Sequence, residues 1–242
     1  MSEILTIDNQ TILSKDLLPL LHKYRLLPDL AREVITDKAI AEIECSSEEQ
    51  ALARQNFLEQ RRLKTDYDLR VWLQRQGMSE QQLEYQLKRQ LKLEKFKQVT
   101  WESRLKTYFF AHKRQLDRVV YSLIRVREVG VAQELYFRLQ EQESSFPELA
   151  QRYSQGPERL TRGVIGPVEL GSLHPKFIEM FRSAPLGKLW LPTRVKGWWV
   201  IVRLEQFISV QLNESLRQRL LDEQFQNWLR QQLQQRVLVD CD

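Results

Sequence analysis

A run of β-branched and other apolar residues at 119–126, ValValTyrSerLeuIleArgVal, interrupts a chain whose upstream patterned segments have helical spacing. Such a composition favours a β-strand. The segment before it, from 101 to about 116, predicts a helix, so a domain boundary is expected near Asp117. Downstream, patterns of both kinds alternate, and the chain is therefore predicted to be an α+β protein. The predicted downstream elements are helices at 132–142, 146–153 and about 175–181, and strands near Leu189 and at 198–204.

The upstream part has the composition and the end signals of short bundle helices. Ser14 can cap a first helix, Pro28 can open a second, and residues 48–64 favour a third. Thr65 begins a sequence typical of a helix N-terminus, and the helix it opens is expected to end at Gly77.

Two further helices are expected before the boundary. Ser79, with Gln82 three residues later, forms the pattern of a capping box, and the helix that follows places leucines at i, i+4 and i+8. A separate helix is predicted from 101 to 116.

The last segment, 213–235, predicts a long amphipathic helix. Its apolar side chains recur at helical spacing while Gln and Arg fill the outer face. An apolar stripe of this width must be covered, and the N-terminal helices are the available all-α partner. The predicted domains are residues 1–116, helical; 117–207, with the sheet; and 208–242, a C-terminal helix that packs back on the helical domain.

Charge and cysteine content narrow the classes of function. The net charge of +5 comes from Lys and Arg interleaved with Asp and Glu, which does not favour nucleic-acid binding. No run approaches the roughly 18 apolar residues that a membrane span requires. Cys45 and Cys241 lie far apart and the three histidines are scattered, so no metal site is expected. The first residues, MSEILTIDNQ, lack the features of an export signal, and we expect a cytoplasmic protein.

Several local sequences in the C-terminal half match a known pattern. Residues 146–154, PheProGluLeuAlaGlnArgTyrSer, are similar to an F-x-x-L-A-x-x-Y-S segment, and 163–168 to a G-G-x-L-G turn in which Gly163 and Gly166 allow a tight change of direction. Residues 173–181 are similar to an M-x-x-x-F-x-x-x-x-F helix. Residues 184–192 stand where the same pattern continues with a G-x-x-S-x-P-V segment. On these sequences, 119–205 resemble a parvulin-type (PpiC, rotamase) peptidyl-prolyl isomerase domain.

The helical part resembles a second family more weakly. Residues 72–84 are similar to the G-x-T-x-x-E helical hairpin of SurA-type N-terminal domains. Together the two resemblances imply an all-α chaperone-like domain, joined by the long C-terminal helix, plus a parvulin domain with a small, mostly antiparallel four-stranded sheet and surrounding helices. They also imply proline-containing or unfolded polypeptides as partners, and no cofactor.

The resemblance to parvulins assigns candidate substrate-binding residues. Leu173 stands where the family has a pocket Met, Phe177 where it has the pocket Phe, and Phe181 beside them; Val164 stands where a polar residue often follows the glycines. In such a pocket an apolar wall grips the proline ring, and hydrogen bonds favour the twisted amide over the planar one. Read from the residues alone, Leu173 and Phe177 at i, i+4 are an ordinary packing face.

The candidate catalytic positions depart from the family. Ser122 and Trp199 stand at the two positions where active parvulins carry His, and neither reproduces a rigid ring that both donates and accepts hydrogen bonds near neutral pH. Isomerase activity is therefore expected to be weak or lost. Because neighbouring strand residues face opposite ways, one of Trp198 and Trp199 is expected in the core and the other at a surface.

Two interpretations of function remain open at this point. The first is a foldase or chaperone that acts on unfolded or precursor polypeptides. The second is a non-catalytic adaptor that docks one protein partner in a peptide maturation or secretion pathway. Breadth of binding separates them, since a chaperone suppresses aggregation of unrelated clients and an adaptor does not.

Overall fold

The computed structural model describes residues 3–7, 10–182 and 184–236; Cys241 lies outside these ranges. The helices and strands follow one another as β1 (Glu3–Ile7), β2 (Gln10–Leu13), α1 (Leu17–Lys23), α2 (Leu27–Ile40), α3 (Ser47–Gln60), α4 (Asp66–Gln76), α5 (Glu80–Leu116), β3 (Arg118–Val126), α6 (Val129–Gln140), α7 (Phe146–Tyr153), β4 (Val164–Glu169), α8 (Pro175–Phe181), β5 (Leu189–Val195), β6 (Trp198–Ile208) and α9 (Glu214–Arg236).

These elements divide into two compact units. Unit 1 contains the described residues up to Leu105 and from Glu214 onward, and unit 2 contains Lys106–Asn213. The predicted α+β class is confirmed, with helices in unit 1 and a four-stranded antiparallel sheet in unit 2. The units change at positions that differ from the domain boundaries predicted after residues 116 and 207, and those boundaries stay predictions.

Helix ends in unit 1 follow the sequence signals. Thr65 caps α4, its hydroxyl accepting from the N–H of Asp68, and Gly77 ends that helix at φ +60°. Ser79 and Gln82 exchange the two hydrogen bonds of a capping box at the start of α5. The predictions at these positions are confirmed.

Two predictions for the helical part of the chain were wrong, and one element was missed. The helix expected to begin at residue 101 is the second half of α5, which runs unbroken for 37 residues because no Gly, Pro or competing cap interrupts it. Ser14 does not cap an α-helix: it begins a 3-10 helix, Ser14–Asp16, and α1 follows. The antiparallel pair β1–β2 was not predicted.

The core of unit 1 joins the C-terminal helix to the N-terminal ones. Phe225 and Leu229 of α9 are buried with Ile35 of α2, and aromatic rings from α5 and α9 pack against them. Phe96 and Trp228 bring their ring centroids within 5.4 Å. The stripe of apolar residues on α9 is therefore covered by α2 and α5, as the sequence pattern required.

Three carboxylates at helix N-termini make the stability of the chain depend on acid pH. The hydrogen bond from Lys95 is the main cause that lowers the pKa of Glu49 from its ordinary value of 4.5. The hydrogen bond from the Thr65 hydroxyl lowers the pKa of Asp68 from 3.8, and the hydrogen bond from the N–H of Ser145 lowers the pKa of Glu148 from 4.5. A folded-state pKa below the unfolded one means that the unfolded chain binds more protons as the pH falls. The stabilisation is thus complete above pH 4.5 and is lost as the pH drops through the lowered folded-state values.

We expect the free energy of unfolding, measured by urea denaturation from pH 7 to pH 2.5, to fall below about pH 4.5. The triple variant Glu49→Gln, Asp68→Asn, Glu148→Gln should be less stable at pH 7 and show a shallower decline. A triple variant with the same pH slope as the parent chain would show that these caps do not cause the dependence.

Unit 2 is built on the sheet, whose strand order is β4-β3-β6-β5. One face carries a first core of Val119, Tyr121 and Leu123 from β3 together with Phe177 and Phe181 from α8. The other face carries a second core, formed with α6 and α7, whose buried residues are Ile124, Val126, Ala132, Leu135, Phe146, Leu149, Ala150 and Ile201. Alternation along β3 assigns odd-numbered side chains to the first core and even-numbered ones to the second.

Candidate functional site

The face of the sheet beneath α8 carries a compact group of aromatic rings. The ring of Tyr121 lies 5.8 Å from that of Phe177 and 5.2 Å from that of Phe181, centroid to centroid. Trp190 of β5 meets Phe181 edge-on at 5.4 Å. We call this group, Tyr121, Phe177, Phe181 and Trp190, the aromatic face; two of the predicted substrate-binding residues belong to it.

Helix α8 holds its two phenylalanines against the sheet for simple reasons. Pro175 stands in the first turn, and the His174 side chain accepts a hydrogen bond from the N–H of Lys176 at 3.3 Å. Phe177 and Phe181 are one turn apart and so lie on one side of the helix. Lys176 Nζ donates to the Arg194 carbonyl at 2.8 Å, which ties α8 to β5.

The remaining predicted substrate-binding residues lie at the margin. Leu173 is half-buried and packs on the first core. Val164 is 42% exposed, whereas its neighbour Ile165, which pairs with Tyr121, packs on the first core, as does Val168 of the same strand. Ile165 was missed because the alignment placed the turn glycine, and hence Val164, at the family position without regard to which face of β4 each residue occupies.

Ser122 is buried on the opposite side of the sheet from the aromatic face. Its hydroxyl donates to Glu205 Oε1 at 2.5 Å, and the same oxygen accepts from Arg203 Nε at 2.8 Å. The structure therefore does not bring Ser122 together with Phe177. The residue of β3 that meets Phe177 is Tyr121, one position earlier, because a shift of one residue along a strand exchanges the two faces.

Trp199, like Ser122, lies on the side of the sheet opposite the aromatic face. It packs against the second core with α6 and α7, whereas its neighbour Trp198 packs on the first core and stacks under the Arg127 guanidinium at 4.8 Å. Both indoles are half-buried. Ser122 and Trp199 thus both lie on the second face of the sheet, and neither lies on the side that carries Phe177 and Phe181.

The electrostatics of the aromatic face suit an apolar ligand. Burial raises the pKa of Tyr121; Arg125 opposes the rise and Glu158 adds to it, so the phenol is neutral over the physiological range. The imidazole nearest to Phe177 in the described part of unit 2 is that of His174, 6.3 Å away between ring centroids. Its Nδ1 accepts the N–H of Lys176, so His174 serves as a helix cap.

A buried ion pair fixes the loop that leads into β4. Glu158 is 4% exposed, and its Oε1 accepts from Arg125 Nε at 2.8 Å and from Ser154 Oγ at 2.5 Å. Its Oε2 lies 2.7 Å from Arg125 Nη2, the second contact of the ion pair. Because the N–H of Gly163 also donates to the Glu158 carbonyl at 2.7 Å, this cluster anchors the turn that carries β4 to the sheet.

Unit 1 carries a large open cavity of its own. Its volume is about 1060 Å³, and it runs along the first turns of α5 from Gly77 to Glu94. Met78, Tyr85 and Leu93 give it apolar surface among glutamines, and Tyr85 is 63% exposed. A cavity with exposed aromatic and flexible apolar side chains suits extended peptide segments rather than a small rigid ligand.

Over residues 3–7, 10–182 and 184–236, no three His, Cys, Asp or Glu side chains gather as metal ligands would. Every helix within those ranges is too short or too polar to cross a bilayer. The side chains of Tyr121, Phe177 and Phe181 are 5%, 7% and 1% exposed, so most of the aromatic face is covered in this structure.

Comparison with known proteins finds a family match over part of unit 2. Residues 130–206 match the family described as Rotamase: PPIC-type PPIASE domain. The chain is 34% identical over 111 residues to Chaperone SurA of Pseudomonas aeruginosa, covering 42% of this chain and 26% of that one. It is 30% identical over 125 residues to Chaperone SurA of Nitrosococcus oceani, covering 45% and 29%. The chain thus spans roughly a quarter of the length of these curated relatives.

A solved structure extends the likeness to the whole fold. The peptidylprolyl isomerase PrsA of Bacillus anthracis superposes with a TM-score of 0.50 at 20% identity, covering 88% of this chain and 99% of that one. At this identity the likeness concerns the fold. It supports an architecture in which a parvulin-type sheet domain is carried with a helical part.

Proposed function

We propose that this chain, which carries a PPIC-type PPIase domain of the parvulin class with relatives among the SurA chaperones, is a foldase-type chaperone for unfolded or precursor polypeptides. The observation that carries the proposal is the aromatic face of Tyr121, Phe177, Phe181 and Trp190 within that domain. Its rings supply apolar area on a fixed scaffold, which a proline ring or an unfolded segment requires, and this area becomes available when neighbouring side chains move aside.

The isomerase activity of the domain is weak or lost under this proposal. The two positions aligned with the family's histidines hold Ser122 and Trp199, and the β3 side chain beside Phe177 is the neutral phenol of Tyr121. Phe177 is only 7% exposed, so a bound proline must displace neighbouring side chains before it reaches the ring. Binding without rate enhancement is the behaviour that these features support.

The cavity along α5 supplies the second contact surface of the proposed chaperone. The clients would be cytoplasmic polypeptides, or polypeptides that await a secretion or maturation system. They would present extended apolar segments, which fit a groove of this size. The adaptor interpretation is not favoured, because the relatives that the chain matches are chaperones.

Aggregation assays on two unrelated denatured proteins test the proposal. We expect suppression of both at equimolar chain. Tyr85→Ser should weaken client binding roughly fivefold to tenfold, the scale of one aromatic contact. Tyr67→Ser is the matched control, because Tyr67 is 71% exposed on α4 and does not line the cavity. Suppression of neither protein, or equal losses in the two variants, would contradict the proposal.

A further inference from the structure

Unit 2 also contains a cavity, and this cavity has no role in the function proposed above. It encloses about 710 Å³ where α5 ends and β3 begins. Leu170, Ile178 and Phe207 supply apolar surface, and Arg114 and Arg182 supply two guanidinium groups. Phe207 is 42% exposed, which leaves much of its ring available to a ligand.

The walls of this cavity are held in place by close packing. A Cβ on Gly171 would lie 2.9 Å from the Cβ of Gln115, so the turn between β4 and α8 fits against α5 only because residue 171 is glycine. The N–H of Leu170 donates to the Asp117 carbonyl at 2.8 Å. The cavity is therefore formed before any ligand arrives, which lowers the entropic cost of binding.

The charge in this cavity favours an anion. The Asp117 carboxylate, its acidic group, is already engaged by Lys113 Nζ and by the N–H of Val210, each at 2.9 Å. Arg114 and Arg182 have no carboxylate partner among the residues that the structure describes. Two guanidiniums beside apolar surface match a carboxylate next to a large apolar side chain.

Helix α8 relates this cavity to the aromatic face. Phe177 and Phe181 point to the sheet, whereas Ile178 and Arg182, also one turn apart, line the cavity. One short helix thus serves two surfaces. Ile178 also packs against the core that contains Phe177 and Phe181.

We propose that this cavity binds a polypeptide segment in which a carboxylate side chain adjoins a large apolar side chain. The carboxylate lies between Arg114 and Arg182, and the apolar side chain contacts Phe207 and Ile178. Because such a segment needs no proline, this binding is separate from the activity of the aromatic face.

Fluorescence anisotropy on the full chain tests the site with two labelled peptides that lack proline, Gly-Ser-Glu-Leu-Ser-Gly and the same peptide with Gln in place of Glu, both blocked at their ends. The Glu peptide should bind about tenfold tighter, the scale of one hydrogen bond to a charged group. Arg114→Gln and Arg182→Gln should each remove most of this preference. Arg152→Gln makes the same change of charge on α7, away from the cavity, and should retain it.

Three results would overturn the proposal: equal affinity of the parent chain for the two peptides, a preference that survives in the double variant Arg114→Gln, Arg182→Gln, or an equal loss in Arg152→Gln. The last would show a general effect of net charge. The comparison of peptides on the parent chain needs no substitution, so a variant that fails to fold cannot obscure the answer.

Discussion

Gly166→Ala is expected to lower the free energy of unfolding of unit 2 by about 3 kcal/mol or more. Gly166 has φ +121°, a conformation that residues with a Cβ rarely adopt. A Cβ there would lie 2.5 Å from the Val119 carbonyl oxygen and 3.1 Å from the Val120 Cα. Since both are backbone atoms of the central strand β3, the clash can be relieved only by moving β4 away from the sheet.

Gly77→Ala is the matched control for this substitution. Gly77 also has positive φ, +60°, but nothing lies within 4 Å of the position of its Cβ. Its cost should be about 1 kcal/mol, that of the left-handed conformation alone. Urea denaturation of both variants measures the difference, and equal losses would show that the contact between Gly166 and β3 is not the cause.

Glu158→Ala is expected to cost about 3 kcal/mol, because it leaves the Arg125 guanidinium without its charge partner in a largely buried site. The estimate is at the low end for buried pairs, since the Arg125 side chain is 28% exposed and keeps some contact with water. Ser154 Oγ also loses the carboxylate oxygen that accepts its hydrogen bond, whereas the N–H of Gly163 keeps the backbone carbonyl of residue 158, so the loosening should begin at Ser154.

Two further variants separate the charge effect from simple truncation. The double variant Arg125→Met, Glu158→Leu removes both charges and should recover most of the lost stability. Glu143→Ala removes an exposed acidic side chain and should change the free energy of unfolding by less than about 0.5 kcal/mol. A double variant as unstable as Glu158→Ala would contradict the role given to the ion pair.

Local structure was predictable wherever a short-range signal determines it. The caps at Thr65 and Ser79, the end of α4 at Gly77 and the start of α8 at Pro175 all depend on residues within one turn. The strand at 119–126 was predictable from its β-branched run, and β3 differs from it by one residue at its start.

Two features could not be read from local signals. The continuity of α5 depends on the absence of an interruption across 37 residues, while the chain's short helices suggested a bundle of similar lengths. The missed pair β1–β2 has too few residues to show a clear alternation.

The candidate site depended on strand register, which an alignment of short sequence motifs does not determine. Ser122 was chosen over Tyr121 because it fitted the aligned position, yet alternation with Val119 and Leu123 places Tyr121 on the face that carries Phe177. Assigning each residue of β3 to a face of the sheet, by its alternation with the buried residues, would have identified Tyr121. Phe177 and Phe181, by contrast, needed only helical spacing.

The variant that best examines the aromatic face is Phe177→Ala, with Phe177→Leu as its control. Leucine keeps most of the buried apolar volume and therefore the fold, but it removes the ring. Circular dichroism of both variants checks that unit 2 remains folded. A loss of peptide affinity shared by the two variants then reports on the ring rather than on unfolding.

Exchange NMR on a peptide with an Xaa-Pro bond measures binding and isomerisation in the same sample. With equimolar chain, the peptide resonances should shift saturably while the cis–trans exchange rate stays at its uncatalysed value, on the order of one event in tens to hundreds of seconds. Phe177→Ala should weaken the affinity about tenfold. Accelerated exchange, or an affinity unchanged by the loss of the Phe177 ring, would contradict the claim that the aromatic face binds the peptide without catalysing its isomerisation.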